Sequence, residues 1–364
     1  MNGAATLIRA GVRQVSQVAR RSYRAAQLAN FGGQLEIVNK KEKKPHDGEV
    51  LLEVANAGFN DADINMIDGK YHLRPNTPFV PGFEVAGTVL AVGKGVKRFK
   101  EGDRVIALRT EATGAFAERC MLSAADLIMT IPYSLNFEMA SSIAVSYGTA
   151  YVALQKMASE RQGSSVLVLT SKGTTGLAAI DLAQNVFKAQ KRSEERILST
   201  RFYVKQIKVF GASDSEEKLE KLRATGVQST LNWMDGRLAA NLRKATFGQG
   251  VDLVVDTVGG KPFEEALAGV RVGGHIVSIG FSSGIIPSVS LLELHRLQAT
   301  VSGIWLGGRP QLEVENVMTS VIGLYDEGYL NVRIEKKYPL EKINECIKDV
   351  REEKIFGKAI ISLR

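Results

Sequence analysis

From Ser165 to Trp305 the chain repeats one pattern, a short run rich in Val, Ile and Leu followed by a longer segment with apolar residues at helical spacing. The runs are Ser165–Thr170, Ile207–Ala212, Thr230–Trp233, Asp252–Asp256, His275–Gly280 and Thr300–Trp305, and Leu177–Lys188, Ser215–Thr225, Gly236–Phe247 and Pro262–Val270 lie between them. Parallel strands joined by crossover helices form an open, doubly wound sheet, and such sheets take ligands beyond the carboxyl ends of their strands. The pattern therefore predicts an α/β region that binds a dinucleotide.

Upstream the texture is different. Tyr23–Leu28 and Gly48–Ala57 read as strands, the second entered through Pro45-His46-Asp47-Gly48. Gly82, Gly87, Gly93, Gly95, Gly102 and Gly114 then punctuate apolar segments such as Glu84–Val92 and Asp103–Ala107, which predicts a barrel-like antiparallel β region. Helical spacing follows over Met139–Met157. Val314–Arg364 reads as helix, strand and helix with a last strand at Ala359–Leu363 that returns to the first domain. At 364 residues the chain has room for about two domains. The expected division is 23–145, 146–305 and a returning segment 306–364, so that the α/β block is inserted.

The candidate cofactor site is the stretch Val166 to Gly176, a buried strand, a tight turn and a helix start. Gly173 and Gly176 let main-chain amides and the helix N-terminus approach a pyrophosphate. Ser171 belongs to the same turn. The next strand ends in Ser213-Asp214-Ser215-Glu216-Glu217-Lys218, where an adenosine ribose would lie. Lys218 suits a 2′-phosphate and Asp214 a free 2′-hydroxyl, so the residues admit both NADPH and NADH. Ser215, with Glu216 and Glu217 behind it, also reads as an ordinary helix cap.

Several function classes are excluded by composition. No apolar stretch approaches the ~18 residues of a membrane-spanning helix, and the 2 cysteines, Cys120 and Cys346, are too few for a disulfide framework. The formal charge of +8 invites a nucleic-acid reading, yet much of the excess sits at the start. Met1 to Gln34 contains no acidic residue, while Arg9, Arg13, Arg20, Arg21 and Arg24 recur among Ala, Val, Ile, Leu and Ser. This is the composition of a mitochondrial transit peptide of about 22 residues, which implies the matrix, or the cytoplasm if the leader carries no address. The remainder lacks the basic and aromatic interleaving of a nucleic-acid binder.

An ordered set of motifs resembles the medium-chain dehydrogenase/reductase superfamily over residues 23–364: Asn60-x-x-Asp63, Pro81-Gly-Phe-Glu84-Val-Ala-Gly87, Val92 to Phe99, Gly102-Asp103-Arg104-Val105, Gly114 to Glu118, Thr149-Ala-Tyr151, Asp256-Thr-Val-Gly259-Gly260 and Gly357-Lys358. Within it the chain is similar to the zinc-free quinone oxidoreductases. That resemblance implies a GroES-like β-barrel catalytic domain, an inserted Rossmann domain, a cleft between them and a homodimer. Zinc-dependent members carry a cysteine near Asn60 and Gly-His-Glu where this chain has Gly82-Phe83-Glu84, so no metal is expected. The resemblance places Asn60 beside the nicotinamide or acceptor, Tyr71 in a substrate-binding loop, Thr149 against the cofactor at the domain junction, and Gly280 and Phe281 near the nicotinamide. Phe281 and Tyr71 also read as packing, and Asn60 as a helix cap. The implied chemistry is hydride transfer from NADPH, or NADH, to a quinone, enone or enal. An enoyl-thioester reductase and a non-catalytic cofactor-binding relative are the alternatives.

The chain departs from the family twice. Relatives have Gly-Ala-x-Gly-Gly-Val-Gly where this chain has Thr170-Ser171-Lys172-Gly173-Thr174-Thr175-Gly176. A β-carbon at Thr174 would crowd a pyrophosphate, which predicts weaker cofactor binding, with the Thr174 and Thr175 hydroxyls and Lys172 as compensating phosphate partners. About twenty residues, Ala189–Gln206, also intervene before the next strand, which predicts a surface loop or helical extension on the side of the sheet opposite the cofactor, with a partner-binding element or a retained intron as the alternatives.

Overall fold

The computed structural model describes residues 22–109, 114–123, 126–155, 164–194 and 207–364. The basic leader before Ser22 lies outside the described residues. Two strands, β1 (Ser22–Leu28) and β2 (Leu35–Lys41), form an antiparallel ribbon. There follow β3 (Glu49–Phe59), α1 (Asp61–Ile67), β4 (Glu84–Val92), β5 (Arg104–Leu108), β6 (Arg119–Ser123) and β7 (Leu127–Thr130), and then α2 (Phe137–Leu154). The α/β block runs β8 (Ser165–Leu169), α3 (Thr174–Glu194), β9 (Lys208–Ser213), α4 (Glu216–Arg223), β10 (Ser229–Asn232), α5 (Leu238–Ala245), β11 (Val251–Asp256), α6 (Gly260–Ala268), β12 (Val270–Ser278), α7 (Leu291–Leu297) and β13 (Thr300–Gly303). The chain closes with α8 (Gln311–Asp326), β14 (Ile334–Pro339), α9 (Ile343–Arg351) and β15 (Lys358–Ser362).

The parallel sheet has the order β10-β9-β8-β11-β12-β13. Its fourth member in sequence, β11, returns to the side of β8 away from β9, so the helices before and after this reversal cover opposite faces and leave a crevice at the carboxyl ends of β8 and β11. β8 shows why an unbroken apolar run was needed. Val166 and Val168 enter the core that joins this block to the first domain, while Leu167 and Leu169 enter a second core with Phe210, Val254 and Phe263.

The other sheet has the order β14-β15-β3-β4-β5-β7, with β6 paired to β3. β15 lies antiparallel to β3, so the last strand completes the first domain's sheet as the sequence predicts. The fold is thus a GroES-like β domain with an inserted Rossmann domain. α2 spans the residues 145/146 at which the sequence divides the domains. It is buried almost all round, packed on β3 and β4 on one side and on α3 and α8 on the other, as expected of a helix apolar on every face. α3 runs to Glu194, six residues past the Lys188 end read from spacing, so the start of the inserted segment is a helical continuation. Its remainder, 195–206, lies outside the described residues. No helix among the described residues is long and apolar enough to cross a membrane.

Candidate active site

The turn between β8 and α3 stands at the sheet's switch point. Gly173 has φ of +85°, and a β-carbon there would meet the Gly357 nitrogen and the Phe356 carbonyl carbon, each at 2.9 Å. Backbone conformation and close approach of the C-terminal segment therefore both demand glycine. At Gly176 a β-carbon would lie 2.4 Å from the Thr170 side chain, which is buried under the helix start and accepts the Gly173 N–H at 3.0 Å.

The substituents of this turn face the first domain. The Thr174 hydroxyl donates to the Gly357 carbonyl at 2.9 Å, and the Lys172 ammonium pairs with Asp61 at 3.1 Å. This corrects the expectation that Lys172 and Thr174 compensate at a phosphate, and it also removes the crowding expected of Thr174, which does not line the cleft. Thr175 is half-buried. The anion-binding groups that remain are main-chain ones, because the first-turn amides of α3 at Thr174, Thr175 and Gly176 have no acceptor within the helix. Ser171 adds a hydroxyl 2.7 Å from that of Ser282, so the turn also touches the loop after β12.

Beyond the strand ends lies an open cleft of about 340 Å³ lined by Ser171, Asp214, Trp233, Val258, Ser283 and, from the segment after α9, Glu353. Asp214 stands where an adenosine ribose is expected. Lys218 is only 8% exposed, its ammonium 2.8 Å from Asp214 and also bonded to Glu353. The Ser215 side chain caps α4, accepting the Lys218 N–H.

Toward the other end of the crevice, the loop from Gly280 folds back over the turn after β11. Ser282 N–H donates to the Thr257 carbonyl, and the Phe281 ring lies against Gly259. Asp256 holds that turn by accepting the Val258 and Gly259 amides at 2.9 Å. Phe281 is 41% exposed, whereas Thr149 is buried in α2.

Asn60 is the N-cap of α1 and only 5% exposed. Its amide nitrogen donates to Glu84 at 3.1 Å, and its amide oxygen accepts from the Lys358 ammonium at 2.8 Å. Where the resemblance puts Asn60 beside a nicotinamide, the structure commits both amide atoms to this buried cluster. Lys358 also pairs with Glu84 at 2.7 Å, and the Asp63 carboxylate accepts the Asn60 N–H at 2.8 Å. One cation thus faces two carboxyl groups. Burial pushes Asp63 up to about 8, against the opposing pull of the Asn60 N–H and Lys358, so at neutral pH it keeps its proton and the cluster is neutral.

Phe83, adjacent to Glu84, carries the site from this cluster to an aromatic wall. Its ring packs on Tyr71 with centroids 5.5 Å apart, Tyr71 lies tilted against His72 at 4.2 Å, and His72 and Trp305 meet edge-to-face at 4.3 Å. Trp305 follows β13, so this wall joins the two domains. Burial raises the Tyr71 phenol, against the opposing influence of the nearby Trp305 indole. The phenol therefore stays protonated and retains its own hydrogen.

Of the residues read from sequence, Ser171 and Asp214 line the cleft, Lys218 pairs with Asp214 beside it, and Gly173, Thr174, Thr175 and Gly176 form the β8–α3 turn. Gly280 and Phe281 belong to the loop over the turn after β11, Asn60 and Tyr71 meet through Phe83–Glu84, and Thr149 lies buried in α2. Glu353, Lys358 and Trp233 were not identified as site residues. The Gly357-Lys358 motif signalled the second, but nothing local in the sequence connects Glu353 with a strand end more than a hundred residues earlier.

Comparison with known proteins agrees with this architecture. The family described as "Alcohol dehydrogenase GroES-like domain" matches residues 46–133, and that described as "Zinc-binding dehydrogenase" matches 204–322. The quinone oxidoreductase-like protein 2 of Bos taurus is 34% identical over 94% of this chain and 93% of its own length, and its Nematostella vectensis homolog is 33% identical over 95% and 90%. Among solved structures, a Pseudomonas syringae quinone oxidoreductase superimposes with a TM-score of 0.81 at 25% identity, covering 93% of this chain and 99% of that one. A mycobacterial protein complexed with NADPH gives 0.80 at 26%, covering 94% and 100%. Zinc, named by one family description, does not fit the residues present. Asn60 and Phe83 replace the ligands, a lysine ammonium sits among the acidic groups, and no cluster of three or more His, Cys, Asp or Glu among the described residues is arranged for a metal.

Proposed function

Because the chain belongs to the quinone oxidoreductases of the medium-chain dehydrogenase/reductase family, we propose that it is an NADPH-dependent, zinc-independent reductase of quinones and α,β-unsaturated carbonyls. The observation that carries this reading is the switch-point crevice, which opens beside the β8–α3 turn at Ser171 and whose mouth is shared by both domains. The first-turn amides of α3 and the Ser171 hydroxyl would hold the pyrophosphate, Asp214 and Lys218 the adenosine ribose and its phosphate, and the loop at Gly280–Phe281 the nicotinamide half. Bound there, reduced nicotinamide supplies a hydride.

The residues of this chain do the rest. Tyr71, kept protonated by burial, donates a hydrogen bond from its phenol to the acceptor oxygen, where negative charge develops as the conjugated system is reduced. The Asn60–Glu84–Lys358 cluster fixes the floor beneath it without offering a free acid. Phe83, His72 and Trp305 give a planar acceptor apolar faces and exclude water from the reacting centre. A quinone gains two hydrogens on reduction, one as the hydride and one as a proton taken from solvent.

The test is nucleotide oxidation by the full chain with a panel of quinones, enals and enoyl thioesters. Quinone- or enal-dependent turnover, reduced at least tenfold in kcat/KM by Tyr71→Phe, supports the reading. Turnover on enoyl thioesters alone identifies the chain as a thioester reductase, and binding without turnover on any acceptor as a non-catalytic relative. We further propose that residues 1–22 direct the protein to the mitochondrial matrix, on the strength of their arginine-rich, acid-free composition. Fusion of this segment to a fluorescent reporter checks the address.

A further inference from the structure

Lys218 is buried where a 2′-phosphate would seek a cation, and its charge is already taken from two sides. Asp214 approaches at 2.8 Å from its own domain, and Glu353 reaches across from the C-terminal segment of the other. Glu353 lines the cleft with Asp214, and its side chain is 36% exposed. Its backbone is unusual as well. Glu353 follows the end of α9 with φ of +54°, a position that glycine fills most readily. A residue held in that conformation while its carboxylate grips a buried ammonium is being used for the carboxylate.

We propose that Glu353 is a specificity-determining residue for the dinucleotide, an internal competitor that occupies Lys218 in place of the 2′-phosphate. The inference rests on the cleft being a dinucleotide site. Lys218, Asp214 and Glu353 together carry one net negative charge, and a 2′-phosphate brings close to two more. For NADPH to engage Lys218, Glu353 must be displaced or tolerated within a few ångström. NADH presents only a hydroxyl, which Asp214 can accept from with Glu353 in place. The carboxylate therefore lowers NADPH affinity selectively and ties the cofactor's choice to a contact between the domains.

The test is titration calorimetry of the full chain with NADPH and with NADH, for the parent protein, Glu353→Gln and Glu353→Gly. Removing a unit charge beside a doubly charged group at a screened, half-exposed site is expected to tighten NADPH about tenfold. NADH should change less than about twofold on the same grounds, and the NADPH gain should shrink in high salt. Glu353→Gly removes the backbone strain together with the charge, so it reports the same preference if the glutamine variant folds poorly. An equal shift for both nucleotides, or an unchanged NADPH affinity, overturns the inference while leaving the cofactor site intact. Failure of all three proteins to bind either nucleotide overturns the dinucleotide reading itself, and the inference with it.

Discussion

Gly173→Ala separates two costs that usually arrive together. The residue has φ of +85°, and so does Gly248, in the exposed loop after α5. A β-carbon at Gly248 would meet nothing within 4 Å, whereas at Gly173 it would press on Gly357 and Phe356 at 2.9 Å. Gly248→Ala therefore reports the conformational penalty alone, about 1 kcal/mol. Gly173→Ala adds overpacking against backbone that cannot rotate away, about 1–3 kcal/mol more, for a total of about 2–4 kcal/mol. Urea denaturation midpoints of the two variants and the parent, with unfolding slopes compared to check that the transition is unchanged, give the difference. Because the clash pushes the turn away from Gly357, NADPH affinity should fall for Gly173→Ala and hold for Gly248→Ala. Equal destabilisation by the two substitutions would refute the claim that the phosphate turn is docked tightly on the C-terminal segment.

Three further outcomes follow from the same geometry. Asp63 titrates near 8 in the fold and near 3.8 when unfolded, so the native state holds a proton that the unfolded chain releases between those values. Its stabilising contribution is full below the lower value and is lost as pH rises through the upper one, and Asp63→Asn should flatten the fall of the urea midpoint between about pH 5 and 8, where the limiting slope is about 1.4 kcal/mol per pH unit; parallel curves for parent and variant count against a protonated Asp63. Lys358→Met strands Glu84, which is fully buried, and should cost about 3–5 kcal/mol, with partial recovery in the Lys358→Met/Glu84→Gln double variant; a loss below about 1 kcal/mol would show that the pair is not held dry. The segment before the edge strand β13 exposes Leu291 at 74% and Leu292 at 78%, and we propose that a second copy covers it, so Leu292→Glu should convert a dimer into a monomer in sedimentation, whereas a parent that already sediments as a monomer contradicts the pairing.

The parallel block was legible because its central strands β8, β9 and β11 are covered on both faces and so are written as largely apolar runs. The ribbon strand β2 was not, since Leu35–Lys41 carries charged residues along a largely exposed face and resembles a loop in composition. The turn at Gly173 was legible from its spacing, but the direction of its side chains was not. Lys172 and Thr174 face Asp61 and Gly357 because the returning strand β15 brings the C-terminal segment against the turn, a contact between residues far apart in the chain. The same long-range closure hid Glu353 and made Asn60 part of an ionic cluster.

The protein has 2 tryptophans, Trp233 in the cleft and Trp305 in the aromatic wall, and this gives the central claim a direct readout. In Trp305→Phe the remaining indole is Trp233, beside the position assigned to the adenosine half of the dinucleotide. Titration with NADPH should change its emission saturably, and competition by an adenine nucleotide lacking nicotinamide should reverse any transfer of excitation to the reduced ring. An emission spectrum that stays unchanged up to about 1 mM NADPH, the upper end of ordinary substrate affinities, would contradict the assignment of the switch-point crevice as the cofactor site.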